Sequence, residues 1–187
     1  MSPVNRTRRD GLMAVSRQAT WQSAIVEALK ANDIRLVCHV ADSVLAPIIR
    51  ELEGDPAFSI ITLTREEEGI GTLCGAYLGG QRGALLLQAS GFGNVLNALG
   101  SLAIPYQIPF PIILSARGGF LEHNVVQVAW GKAAPAAVAS LGMQYFPMTH
   151  EADVPFIAHQ GIHHAFVSRR PTVIGIETQL SGGKRGT

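Results

Sequence analysis

A chain of 187 residues is long enough for one compact α/β domain with a sizeable core, and a hydrophobic fraction of 47% excludes a disordered polymer. A formal net charge of +1 leaves no electrostatic footprint for nucleic acid. No apolar stretch approaches the ~18 residues that a membrane-crossing helix needs, and the residues after Met1 are polar, so a cytoplasmic protein with no membrane partner is expected.

Residues 1–18 show no sustained period and read as an N-terminal arm, with Arg6, Arg8 and Arg9 solvated. The domain is expected over residues 19–180, followed by a flexible tail at 181–187. A helix is predicted over 20–31, where Trp21, Ile25, Ala28 and Leu29 share a face. Ile34–Val40 reads as a buried strand. The next helix carries Val44, Leu45, Ile48, Ile49 and Leu52, with Pro47 tolerable only near its start. A turn at Gly54-Asp55-Pro56 leads to a short strand, Phe58–Leu63, and then to a helix from about Glu66 to Leu78. Gly83–Gln88 is a continuous apolar strand. A glycine-rich turn at 90–93 is expected to open a helix over 94–103. Strand 112–115, a loop through 117–124, a helix near 127–140, a strand at 143–146, a helix at 151–167 and a strand at 172–176 complete the chain. Unbroken apolar strands separated by helices imply a three-layer α/β/α domain with a mostly parallel, six-stranded sheet. In such sheets ligands bind where the carboxyl ends of the strands open into loops, here 40–43, 64–68, 89–94 and 115–124.

Each loop carries residues with two readings. In Arg65-Glu66-Glu67-Glu68-Gly69 three acids suit a helix dipole. The helix after them is unusual, because Gly69, Gly71 and Gly75 each cost about 1 kcal/mol relative to alanine. Close approach of another backbone or a ligand would compensate. Gln88-Ala89-Ser90-Gly91-Phe92-Gly93-Asn94 fails as a dinucleotide fingerprint, because Leu96 stands where glycine is required, and no P-loop lysine follows. It still places Ser90 and backbone amides at a helix start, suited to a polar or anionic group. Asp42 and Ser43 fit either a helix cap or a pocket. Arg117, with Glu122 and Gln127 nearby, would clamp an anionic group or tie down its own loop. Cys38 and Cys74 lie apart and read as buried thiols of a reducing compartment. His159 and His163 have helical metal-like spacing but lack a third ligand, so no metal site is expected in this chain.

Taken together, these segments resemble the α subunit of sulfopyruvate decarboxylase and the N-terminal part of phosphonopyruvate decarboxylase. The likeness runs through most of residues 20–146. It is carried by Val40-Ala41-Asp42-Ser43, Arg65-Glu66-Glu67-Glu68-Gly69, Ala76-Tyr77-Leu78, Leu87 to Asn94, and Ser115-Ala116-Arg117-Gly118, with Glu122, Gln127 and Gly131 after them. Ala41 replaces the family's usual proline and Ala89 a usual asparagine, near the expected pocket. The resemblance implies a thiamine-diphosphate pyrimidine-binding domain whose glutamate meets the aminopyrimidine ring. The family's Glu-to-Tyr interval points to Glu67, ten residues before Tyr77, whereas local physics leaves Glu66, Glu67 and Glu68 equivalent. By the same resemblance, Glu67, Ser90, Gly91 and Asn94 would meet the cofactor, and Asp42, Ser43 and Arg117 the substrate. A diphosphate-binding half would carry Gly-Asp-Gly. Here Gly54-Asp55 is followed by Pro56. A separate β subunit is therefore implied, holding the diphosphate and Mg2+, with the active site of the hetero-oligomer between the two. The implied reaction is decarboxylation of a small anionic 2-oxo acid, sulfopyruvate first. The alternatives are phosphonopyruvate or another 2-oxo acid, or a non-catalytic domain of the same fold.

Overall fold

The computed structural model describes residues 20–182. The expected arm and most of the tail lie outside the described residues. The elements alternate as anticipated: α1 (Trp21–Ala31), β1 (Leu36–His39), α2 (Ala46–Glu53), β2 (Ser59–Thr62), α3 (Glu66–Leu78), β3 (Gly83–Gln88), α4 (Ala89–Ala98), β4 (Pro111–Ser115), α5 (Val125–Ser140), β5 (Gln144–Met148), α6 (Val154–Ser168), β6 (Thr172–Ile176) and the short α7 (Thr178–Ser181). The six strands form one sheet in the order β2-β1-β3-β4-β6-β5, every pair parallel.

The apolar runs are continuous because the inner strands are covered on both faces: β1, β4 and β6 are buried throughout, and β3 in all but its last residue. The edge strands β2 and β5 are largely uncovered. One face packs against α1, α2 and α6 through Ile25, Leu29, Ile48, Leu52 and Ile162. The other packs against α3, α4 and α5 through Ile70, Leu73, Phe92, Val95 and Val138. Cys38 and Cys74 belong to this second layer as free thiols, and burial pushes each up to about 11, so neither is a thiolate at neutral pH.

Two expectations needed revision. Pro47 does sit at the start of α2, but α4 begins at once with Ala89, so no separate glycine-rich turn precedes it. Gly91 and Gly93 serve contact rather than turning: a Cβ on Gly91 would strike Glu66, and one on Gly93 would strike Trp130. The predicted helix 94–103 is thus α4, starting five residues earlier, followed by a π-helical turn at Leu99–Ala103. The short α7, after β6, carried no sequence period.

Gly118 adopts a left-handed φ of +77° as the chain leaves β4, and Gly131 of α5 lies directly against the backbone of Arg117 and Gly118. There is no room there for a methyl group. Gly131→Ala is expected to destabilise the domain by about 1–3 kcal/mol, as overpacked sites do. Denaturant unfolding measures this, and an unchanged midpoint would mean that the 117–118 segment is not docked on α5.

Candidate active site at the carboxyl ends of the strands

β1 and β3 are neighbours, yet α2 and α4, which follow them, cover opposite faces of the sheet. Their carboxyl ends therefore diverge into a crevice, the position at which open parallel sheets bind ligands. Of the seven residues singled out from the sequence, Asp42, Ser43 and Arg117 lie on loops at this end of the sheet, Glu67, Ser90 and Gly91 in the first turns of α3 and α4, and Asn94 further along, as the sixth residue of α4.

The three acids of α3 have different environments. Glu66 Oε2 accepts a hydrogen bond from Asn94 Nδ2 at 2.8 Å, and its side chain lies over Gly91. Glu68 Oε2 accepts from the Thr64 amide at 3.2 Å, tying down the entry to the helix. Glu67 Oε1 is 2.6 Å from Nε of Arg65, whose side chain is 62% exposed. Glu67 Oε2 is buried and has no hydrogen-bond partner. A buried carboxyl oxygen without a partner is costly, so this atom has capacity for one hydrogen bond with a group outside the chain. Gly91 and Asn94 thus contact Glu66, and Ser90 belongs to a different group.

That second group spans the crevice. Asp42 Oδ1 accepts from the amides of Val44 (2.9 Å) and Leu45 (3.1 Å), an Asx turn ahead of α2 and not a cap on the helix itself, whose N-cap position is Leu45. Its Oδ2 accepts from Gln88 Nε2 at 2.6 Å, and Gln88 Oε1 accepts from the Ser90 hydroxyl at 2.7 Å. Arg117 makes a bidentate pair with Glu122: Nε to Oε2 at 2.7 Å and Nη2 to Oε1 at 2.9 Å. The two side chains are only 5% and 1% exposed. Arg117, together with the amides of Asn124 and Gly118, holds the Glu122 carboxyl down to about 2. The loop-tie reading of Arg117 is therefore realised. The same arginine also lines a concavity of about 280 Å³ with Trp21, Ser43, Pro47, Thr178 and Ser181, a size suited to a small molecule. A larger apolar groove of about 340 Å³ lies between β5 and α6, beside Phe156 and His164. No acidic side chain lines it.

Sequence reasoning named Glu122 without its partnership, although an arginine and a glutamate five residues apart across two glycines carried that signal. It quoted Gln88 without a role. Thr178, whose Oγ1 accepts from the Gly119 amide at 3.3 Å, had no local signal because α7 brings it there from the far end of the chain. His159 and His163 do face each other, with ring centroids 6.5 Å apart, but no group of three or more metal-ligating side chains occurs among the described residues. No helix among them is long and apolar enough to cross a membrane.

Comparison with known proteins places this arrangement in a family. Sulfopyruvate decarboxylase subunit alpha of Methanococcus maripaludis is 39% identical over 123 residues, covering 66% of this chain and 74% of that protein. The chain belongs to the sulfopyruvate decarboxylase α-subunit family. The Methanocaldococcus jannaschii subunit alpha is 40% identical over 109 residues, 58% of this chain and 64% of that protein. The match to phosphonopyruvate decarboxylase of Streptomyces viridochromogenes is shorter, 38% over 94 residues, and spans about a quarter (24%) of that protein. No protein-family model matches the chain. Among solved structures, 2-oxoglutarate:ferredoxin oxidoreductase from Magnetococcus marinus superimposes with a TM-score of 0.67 over 87% of this chain and 29% of that one. At 12% identity this likeness concerns the fold alone.

Proposed function

We propose that this chain is the α subunit of a cytoplasmic, thiamine-diphosphate-dependent decarboxylase that converts sulfopyruvate to sulfoacetaldehyde and carbon dioxide. Within the family frame, the observation that carries the cofactor assignment is the buried, partnerless Oε2 of Glu67. A ring nitrogen of the aminopyrimidine would complete that atom's hydrogen bonding. When bound, the cofactor supplies the electron sink for loss of carbon dioxide. With the ring bound, Glu67 would donate a proton to it from Oε2, while Arg65 keeps the other oxygen, Oε1, engaged. Ser90 supports the cofactor from the start of α4, and Gly91 and Asn94 hold Glu66 beside it. The concavity at Ser43 and Arg117 is assigned to the substrate, with Asp42 fixing the shape of its β1 loop.

The reading includes a second subunit, which would hold the diphosphate and Mg2+. Two features of the surface support it. Gly71 and Gly75 of α3 face open space, so the helix bears their conformational cost with nothing among the described residues packed against them. Phe120, Val125 and Val126, beside the β4 loop, are 73%, 80% and 73% exposed, a patch suited to burial against a partner. The purified chain alone is expected to release no carbon dioxide from sulfopyruvate. Co-purification with a β subunit carrying Gly-Asp-Gly is expected to give activity dependent on thiamine diphosphate and Mg2+. Turnover by the chain alone would overturn the split site, and activity with phosphonopyruvate but not sulfopyruvate would overturn the substrate.

A further inference from the structure

The hydrogen bonds across the crevice have a fixed direction. Asp42 already accepts two backbone amides at Oδ1, and an ionised carboxylate only accepts. The Gln88 atom 2.6 Å from Oδ2 is therefore the amide nitrogen, which sends the amide oxygen toward Ser90. At 2.7 Å from that oxygen, the Ser90 hydroxyl has to donate its single proton there. Gln88 is the last residue of β3 and immediately precedes α4, yet its side chain does not cap the helix. Its amide instead bridges the loop after β1 and the start of α4.

We propose that Gln88 is a positioning residue that commits the Ser90 proton to itself, so that Ser90 Oγ meets a bound ligand as a hydrogen-bond acceptor only. Ser90 then addresses an N–H or O–H group of the cofactor or substrate. It repels a bare carboxylate or sulfonate oxygen, which confines the anionic end of a 2-oxo acid to the Arg117 side of the crevice. This inference rests on the cofactor and substrate reading above.

Two measurements test it. In the isolated chain, Gln88→Glu sets a second carboxylate against Asp42, and two acids at that separation share one proton, with one pKa strongly raised. The variant is expected to lose stability as pH rises through that raised pKa, followed by urea unfolding, whereas Gln88→Met shows no such dependence. A pH-independent difference between the two would overturn the Asp42–Gln88 contact and the proposal with it. In the active α–β complex, Gln88→Met and Ser90→Ala are each expected to weaken thiamine diphosphate binding or raise KM for sulfopyruvate by about tenfold, the scale of one hydrogen bond. Because Gln88 acts through Ser90, the double variant is expected to be no worse than either single one. Binding is read by quenching of tryptophan fluorescence, independently of turnover. Effects that multiply to about a hundredfold, or a Gln88→Met complex like wild type, would overturn the positioning role while leaving the decarboxylase reading intact. A wild-type complex that binds no thiamine diphosphate would instead overturn that reading, and this inference with it.

Discussion

Glu67→Gln is expected to lower kcat of the assembled complex by about 10²–10⁴, the range for loss of a positioned general acid–base group. Glutamine fills the same space and keeps a hydrogen-bonding end, so folding and subunit assembly should survive. It cannot hold an acidic proton at the atom that is buried and unpartnered in the wild type. Glu66→Gln and Glu68→Gln should have far smaller effects. Glu66 is already engaged by Asn94 and Glu68 by the Thr64 amide, and a helix-start charge contributes only about 0.3–1 kcal/mol. The measurement is hydrogen–deuterium exchange at the thiazolium carbon of the bound cofactor, for all three variants. Wild-type exchange in Glu67→Gln, or an equal loss in all three, would mean that the wrong residue or the wrong cofactor has been assigned.

Glu122→Gln should be the most damaging substitution for the fold. It removes the charge that balances a guanidinium only 5% exposed. Breaking a buried pair in this way costs about 3–5 kcal/mol, because the partner is left charged and desolvated. The pH dependence has a definite sign. The folded-state pKa of Glu122 is depressed to about 2 from an ordinary 4.5, so its stabilisation is complete above about 4.5 and is lost as pH falls toward 2. Urea unfolding between pH 7 and pH 2.5 should show wild type losing this contribution on acidification. Glu122→Gln should start lower and lose less. Parallel curves for the two proteins would show that the Arg117–Glu122 pair does not carry the loop.

His39 adds to acid sensitivity with its own logic. It is buried at the end of β1, with Nδ1 unpartnered, and burial lowers its pKa below the ordinary 6.5. An unfolded chain therefore binds the proton first, and stability falls as pH drops below about 6.5.

The order of elements was legible in the sequence because burial on both faces writes itself as unbroken apolar runs. Gly83–Gln88 and Thr172–Ile176 were found with their observed bounds for that reason. The helix from Glu66 to Leu78 was equally plain, and the family resemblance marked Glu67 through its interval to Tyr77. What the sequence left open was partnership. Three adjacent glutamates are equivalent as a string. Only the packing of α3 beside α4 gives Glu66 to Asn94 and leaves Glu67 with a buried oxygen free. Gly91 and Gly93 read as a turn because glycine permits one, and the tertiary structure shows that Glu66 and Trp130 occupy the space where side chains would be. The Asp42–Gln88–Ser90 chain joins residues 46 positions apart, so it exists only once β1 and β3 pair. Local periodicity encodes which face of an element is buried. Which polar atoms find partners depends on the register and crossing of elements distant in the chain.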